Sequence, residues 1–236
     1  MKEKLFSRNF MMLILGQVSS LFGNFILKFA LSMYVLEVTG SAAVFAGILA
    51  LATVPAIVLA PLGGILADRA NRRNIMVALD LLSGISVLAA ALLFRSAAVY
   101  HMDVAAVGTL LVVLSVLGAF ESPTVQACVP QMQTGDNIVK GNAAVNQVAA
   151  VASLTAPVLG SVLYTAVGIG PVMFLTTICF FLTAGLECFI RLEYHGPEKK
   201  EKIGTIVRED FKESMRFIGK EQPDILKMLL LATAEH

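Results

Sequence analysis

Six long apolar runs, each closed by charge or by a glycine or proline turn, restrict this chain to folding within a membrane. They lie at Phe10–Leu36, Ala42–Ile65, Ile75–Phe94, Val104–Cys128, Ala143–Val167 and Val172–Ile190, and a further run begins near Ile225. The hydrocarbon of a bilayer is about 30 Å thick and needs about 20 helical residues to cross it, which each run supplies. With 57% hydrophobic and 15% charged residues, the chain has too little polar surface to clothe a water-soluble globule of this size. The pattern predicts an all-α integral membrane protein. A six-helix bundle is expected over residues 1–190, a cytoplasmic linker over 191–224 and the truncated start of a seventh helix over 225–236.

Between the second and third runs, Gly64-Ile65-Leu66-Ala67-Asp68-Arg69-Ala70-Asn71-Arg72-Arg73 places one acid and three arginines in a short turn that must lie outside the hydrocarbon. Basic residues mark the cytoplasmic side of short loops. Lys2, Lys4, Arg8, Arg69, Arg72, Arg73, Lys140 and the basic residues from Arg191 to Lys220 fall on one side, whereas the opposite loops offer only Arg95. The expected arrangement is multi-pass in the inner membrane with a cytoplasmic N-terminus. A net charge of +1 hides this asymmetry and gives no case for nucleic-acid binding.

The start is not read as a cleaved signal peptide, because its apolar stretch runs on to Leu36 without a small-residue cleavage site. Cys128, Cys179 and Cys188 show no metal-ligand or paired spacing and are expected as packing residues. In the linker, Ile206, Val207, Phe211, Met215, Phe217 and Ile218 recur at near-helical spacing among charges, which predicts an amphipathic helix on the inner membrane surface.

Polar residues inside the spans mark a candidate transport path, since each is costly at mid-bilayer unless it faces protein or water. Gln17, Asn24 and Lys28, with Ser20, share a face of the first helix; Glu121 and Gln126 lie in the fourth; Asn142 and Asn146 lie in the fifth. Lys28 either binds or releases a proton in a wet cavity or snorkels outward. Glu121 either carries a proton or pairs with a loop arginine. Asp80 and Glu187 are expected as structural ion partners. The fifth helix also spaces Ala152, Ala156 and Gly160 four apart, a small-residue face for close helix contact.

These residues carry a resemblance. The turn resembles the G-x-x-x-D-R-x-G-R-R loop of major facilitator transporters, with Gly64, Asp68, Arg69, Arg72 and Arg73 matching and Asn71 in place of the second glycine. Asn tolerates a left-handed backbone, so this departure is mild. Leu15-Gly16-Gln17, Glu37-Val38-Thr39-Gly40-Ser41 and Val129-Pro130 also resemble the macrolide-efflux and siderophore-exporter-like branch. Ala156, Pro157 and Gly160 form a degenerate match to the exporters' helix 5 motif.

The resemblance implies the N-terminal half of a transporter built from 3+3 inverted repeats, exporting small amphiphilic molecules by alternating access. It implies a proton as coupling ion, no other cofactor, a small-molecule substrate and a partner C-terminal six-helix half. The turn is then a cytoplasmic latch, with Asp68 accepting from a helix N-terminus and Arg72 and Arg73 pairing with carboxylates of neighbouring helices. Two departures bear on coupling: the fourth helix holds no arginine, and Asn24 stands where an Asp is often found. The sequence reads as a fragment or truncated product, with a non-transporting remnant or helix-binding scaffold as the alternative. An enzyme is not expected, since no span shows a His cluster, a nucleophile with a base, or a phosphate-binding loop.

Overall fold

The computed structural model of the chain describes residues 5–96 and 104–192. It contains α1 (Arg8–Thr39), α2 (Ala42–Arg69), α3 (Arg72–Ser96), α4 (Val104–Met132), α5 (Asp136–Val167) and α6 (Ile169–Cys188). All six are long and apolar enough to cross a membrane. The expected amphipathic helix and seventh span lie outside the described residues.

Most helices run past the apolar stretch that announced them. The fifth begins at Asp136 rather than Ala143, because Asp136, Asn137, Lys140 and Asn142 continue the backbone ladder into the polar margin, where hydropathy gives no signal. Local chemistry sets the turns. Ser7 Oγ accepts from Phe10 N–H at 3.3 Å to open α1, and Gly40, at φ 63°, closes it by donating to Leu36 O at 2.8 Å. Ser41 follows at once as the N-cap of α2, so two residues, Gly40 and Ser41, reverse the chain.

Helix α2 packs chiefly on α4, α5 on α1, and α3 on α6, with further seams between α1 and α6 and between α3 and α4. Exchanging α1 with α4, α2 with α5 and α3 with α6 maps this pattern onto itself, as two inverted three-helix repeats require. Two glycines mark equivalent crossings. A Cβ on Gly63 would stand 2.5 Å from Ala119 O of α4, and one on Gly160 would stand 2.9 Å from Ile26 O of α1. The equivalent of Gly160 is thus Gly63, not Gly64, which has nothing within 4 Å of a Cβ.

Ala152 and Ala156 are buried with Gly160, so the small-residue stripe of α5 is a packing face, as its spacing predicts. A similar seam joins α1 to α6, where Thr183 Oγ1 donates to Gly16 O at 3.1 Å and Thr176 Oγ1 to Gly23 O at 3.3 Å.

The apolar core is divided. One cluster centres on Leu27, Leu31, Val87, Leu111, Met173 and Phe180; the other, towards the Asp68 turn, gathers Phe10, Leu13, Met76, Val125, Cys128 and Ile190. Between them along the chain stand Gln17 and Ser20 on α1, Asp80 on α3, Glu121 on α4 and Glu187 on α6. Helices α2 and α5 are the least covered: 11% and 17% of their most apolar windows are buried, against 33–44% in the others.

Candidate functional site

The charged turn is built on short backbone contacts. Ala70 is extended (φ −119°, ψ 169°), and Asn71 then caps α3, its Oδ1 accepting from Asn74 N–H at 3.3 Å. No non-glycine residue among those described has a positive φ, so Asn71 does not use the left-handed backbone expected of it. Its side chain is retained for capping, a role glycine cannot fill.

The arginines also differ from expectation. Arg72 donates from Nε to Ala67 O at 2.8 Å and from Nη1 to Ala127 O at 2.9 Å, and pairs with Asp68 at 3.3 Å. Arg73 donates to Cys188 O, the last residue of α6. They therefore clasp carbonyls near the C-terminal ends of α2, α4 and α6 rather than carboxylates of neighbouring helices. Ala67 and Cys188 lie within the last three residues of α2 and α6, where carbonyls run out of helical partners and carry the negative end of the helix dipole, so a guanidinium suits them; Ala127 lies about a turn further into α4. Asp68 pairs within its own turn and is largely exposed, and Gly64 is partly exposed; Arg69 also lies in this turn.

Deeper in the bundle, the polar layer converges on three acids. Ser20 Oγ lies 3.0 Å from Asp80 Oδ1 and 3.2 Å from Glu121 Oε1, and Gln17 Nε2 donates to Glu121 Oε1 at 3.4 Å. Asp80 and Glu187 are completely buried and face one another. Neither Asp80 Oδ2 nor either oxygen of Glu187 has a donor, because a carboxylate opposite a carboxylate offers only acceptors until one holds a proton. The ion partners expected for Asp80 and Glu187 are not found among the described residues, and Glu121 accepts from Gln17 and Ser20, while Arg72 and Arg73, two of the loop arginines considered for it, are bonded elsewhere. Sequence inspection could not assemble this cluster, since its members lie on four different helices.

The remaining candidates separate from that layer. Asn24, Lys28 and Asn142 are half-buried, while Gln126 and Asn146 are exposed. On α5, Ala156 and Gly160 are buried and Pro157 is half-buried. The polar residues so divide into a closed layer, Gln17 with Glu121, and a more open set on α1, α4 and α5. The three cysteines are free, with Cys128 buried and Cys188 exposed.

Comparison with known proteins agrees with this architecture. The family model described as Major Facilitator Superfamily matches residues 13–233. Macrolide efflux protein A of Streptococcus pyogenes is 24% identical over 220 residues, covering 92% of this chain and 53% of that protein. The protein of the same name from S. pyogenes serotype M6 matches to the same extent. The chain thus spans about half the length of these relatives. Among solved structures, a bacterial homologue of the iron transporter ferroportin, in the outward-facing state, shares the fold with TM-score 0.53 and 16% identity, over 76% of this chain and 48% of that one. Six membrane-length helices in this arrangement form the N-terminal bundle of such a fold, and the chain belongs to the Major Facilitator Superfamily of transporters.

Proposed function

We propose that this chain forms the N-terminal half of a proton-coupled exporter of small amphiphilic molecules, such as drugs, macrolides or siderophores, working by alternating access. The buried layer of Asp80, Glu121 and Glu187 carries this reading. Three carboxylates between two apolar clusters, with only neutral hydrogen-bond partners, cannot all remain charged, because an uncompensated buried charge costs several kcal/mol. The smallest charge that can enter and leave such a layer is a proton. Protonated, the layer is neutral and can stay closed; on losing protons to water it favours a more hydrated arrangement of α1, α3, α4 and α6.

The clasp of Arg72 and Arg73 gives that change a mechanical partner. It ties the ends of α2, α4 and α6 on the side read as cytoplasmic, and its release would let them separate. The sparsely covered faces of α2 and α5 would pack against a C-terminal half, and the polar residues Asn24, Lys28, Gln126, Asn142 and Asn146 would face the substrate between the halves.

The test uses everted vesicles containing the complete gene product. Adding a macrolide should collapse part of an imposed pH gradient, and Glu121→Gln or Asp80→Asn should abolish that response while the amount in the membrane is unchanged. A full response from the double variant would refute this assignment of the coupling protons.

A further inference from the structure

At the end of the bundle opposite the Asp68 turn, α1, α5 and the start of α6 line an open cavity of about 630 Å³, with Met33, Tyr34, Glu37, Tyr164, Thr165 and Ile169 among its walls. It lies outside the acidic layer and includes none of the polar path residues discussed above. Its volume falls within the range usual for small-molecule sites. Glu37 is the only charged residue among the described lining residues, one turn before Gly40 ends α1. Tyr164 of α5 donates its hydroxyl to Glu37 Oε2, so one carboxylate oxygen is anchored from the facing helix. The other has no hydrogen-bond partner among the described residues. Tyr34 is held in place by its ring, edge-on to Phe94 with centroids 6.1 Å apart.

We propose that this cavity is a binding site for organic cations: a protonated or quaternary amine, or a phosphonium, carried on an apolar body. The physical grounds are complementary. An anchored carboxylate attracts the cationic centre, tyrosine rings bind cations through their π faces, and the Met33 and Ile169 side chains receive apolar substituents. An anionic or strongly hydrated ligand gains none of these contacts and meets the Glu37 charge. The site extends the exporter reading by supplying a binding step near one mouth of the bundle, but it is defined by binding rather than by flux.

The probe is tetraphenylphosphonium, with tetraphenylborate as a ligand of matching shape and opposite charge. Equilibrium binding is measured on the full chain in lipid nanodiscs, and folding is checked by thermal unfolding of each variant. The wild-type chain should prefer the phosphonium. Glu37→Gln should weaken phosphonium binding by about tenfold, equivalent to about 1.4 kcal/mol, whereas Glu37→Asp should retain most of it. Thr165→Arg, which adds a positive charge at the exposed cavity wall and leaves the Glu37–Tyr164 bond in place, should weaken it to a similar extent. Equal affinity for both probes, or unchanged phosphonium affinity in a folded Glu37→Gln and in Thr165→Arg, would overturn the assignment. Absent flux with Glu37-dependent binding would count against the exporter reading alone; flux with binding indifferent to Glu37 would count against this site alone.

Discussion

Neighbouring glycines in α2 should respond in opposite ways to the same added methyl group. In Gly63→Ala the new Cβ would lie 2.5 Å from Ala119 O, 2.7 Å from Pro123 Cγ and 3.1 Å from Phe120 Cα. An ordinary carbon–oxygen approach is about 3.3 Å, so α2 and α4 would have to separate by close to an ångström. Two of the three obstructing atoms are backbone and cannot swing aside, which places the cost near the upper end of the overpacking range, about 3 kcal/mol. The better helix propensity of alanine returns about 1 kcal/mol, leaving a net loss of about 2 kcal/mol. For a chain of this size that corresponds to an unfolding temperature lower by about 4–8 °C.

Gly64→Ala meets nothing within 4 Å. It should match the wild type or exceed it by about 2–4 °C, from the propensity gain of about 1 kcal/mol. The assay is thermal unfolding in detergent, read in a Cys179→Ser/Cys188→Ser background by a thiol-reactive fluorophore as completely buried Cys128 becomes accessible. Equal losses in the two variants, or a Gly63→Ala protein as stable as the wild type, would refute the close α2–α4 crossing.

Asp68→Asn should alter stability by less than about 1 kcal/mol, since its ion pair with Arg72 is largely exposed on the Asp68 side. It should nevertheless sharply reduce export by the complete transporter, as comparison of unfolding and efflux in the same preparation would show. Arg72→Ala should be the more destabilising change, by about 1.5–3 kcal/mol, because carbonyls of α2 and α4 both lose a charged donor; the same unfolding assay decides this. Ser20→Ala removes the hydroxyl between Asp80 and Glu121 and should cost about 1–3 kcal/mol, with an unchanged unfolding temperature as the contrary result. A membrane-impermeant maleimide should label exposed Cys188 from the side carrying the Arg72 turn, which the proposed orientation makes the cytoplasmic side, and should do so faster in everted than in right-side-out vesicles.

Six spans could be read directly because hydrocarbon imposes its length on the sequence, and the turn motif because charge cannot hide there. The ends were less legible. Asp136 to Asn142 are helical but polar, and polarity in the membrane margin is compatible with either helix or loop. Asn71 illustrates another limit: matching it to a glycine position suggests a backbone conformation, whereas its side chain serves as a cap. The close crossing of α2 on α4 is equally hidden, because Gly63 and Gly64 are identical in sequence and only Gly63 makes the contact equivalent to that of Gly160. Asp80 and Glu187 looked like separate structural charges because nothing in a linear sequence brings α3 against α6.

The seam between α1 and α6 also sets an order of assembly. Gly16 and Thr183 are 167 residues apart, so at a synthesis rate of roughly 5–20 residues per second α1 waits roughly 10–30 s for its partner to be made. Glu121, which receives the bond from Gln17, arrives earlier, but still only after two intervening spans. Throughout that interval Gln17 and Ser20 sit on a helix whose hydropathy of 1.7 is well below the 2.4 of α2. Leaving them against lipid is unfavourable. α1, made before the helices it bonds to, is therefore among the spans least suited to stand alone, and its retention depends on a hydrated or protein-lined holding place at the site of insertion until α4 and α6 reach it.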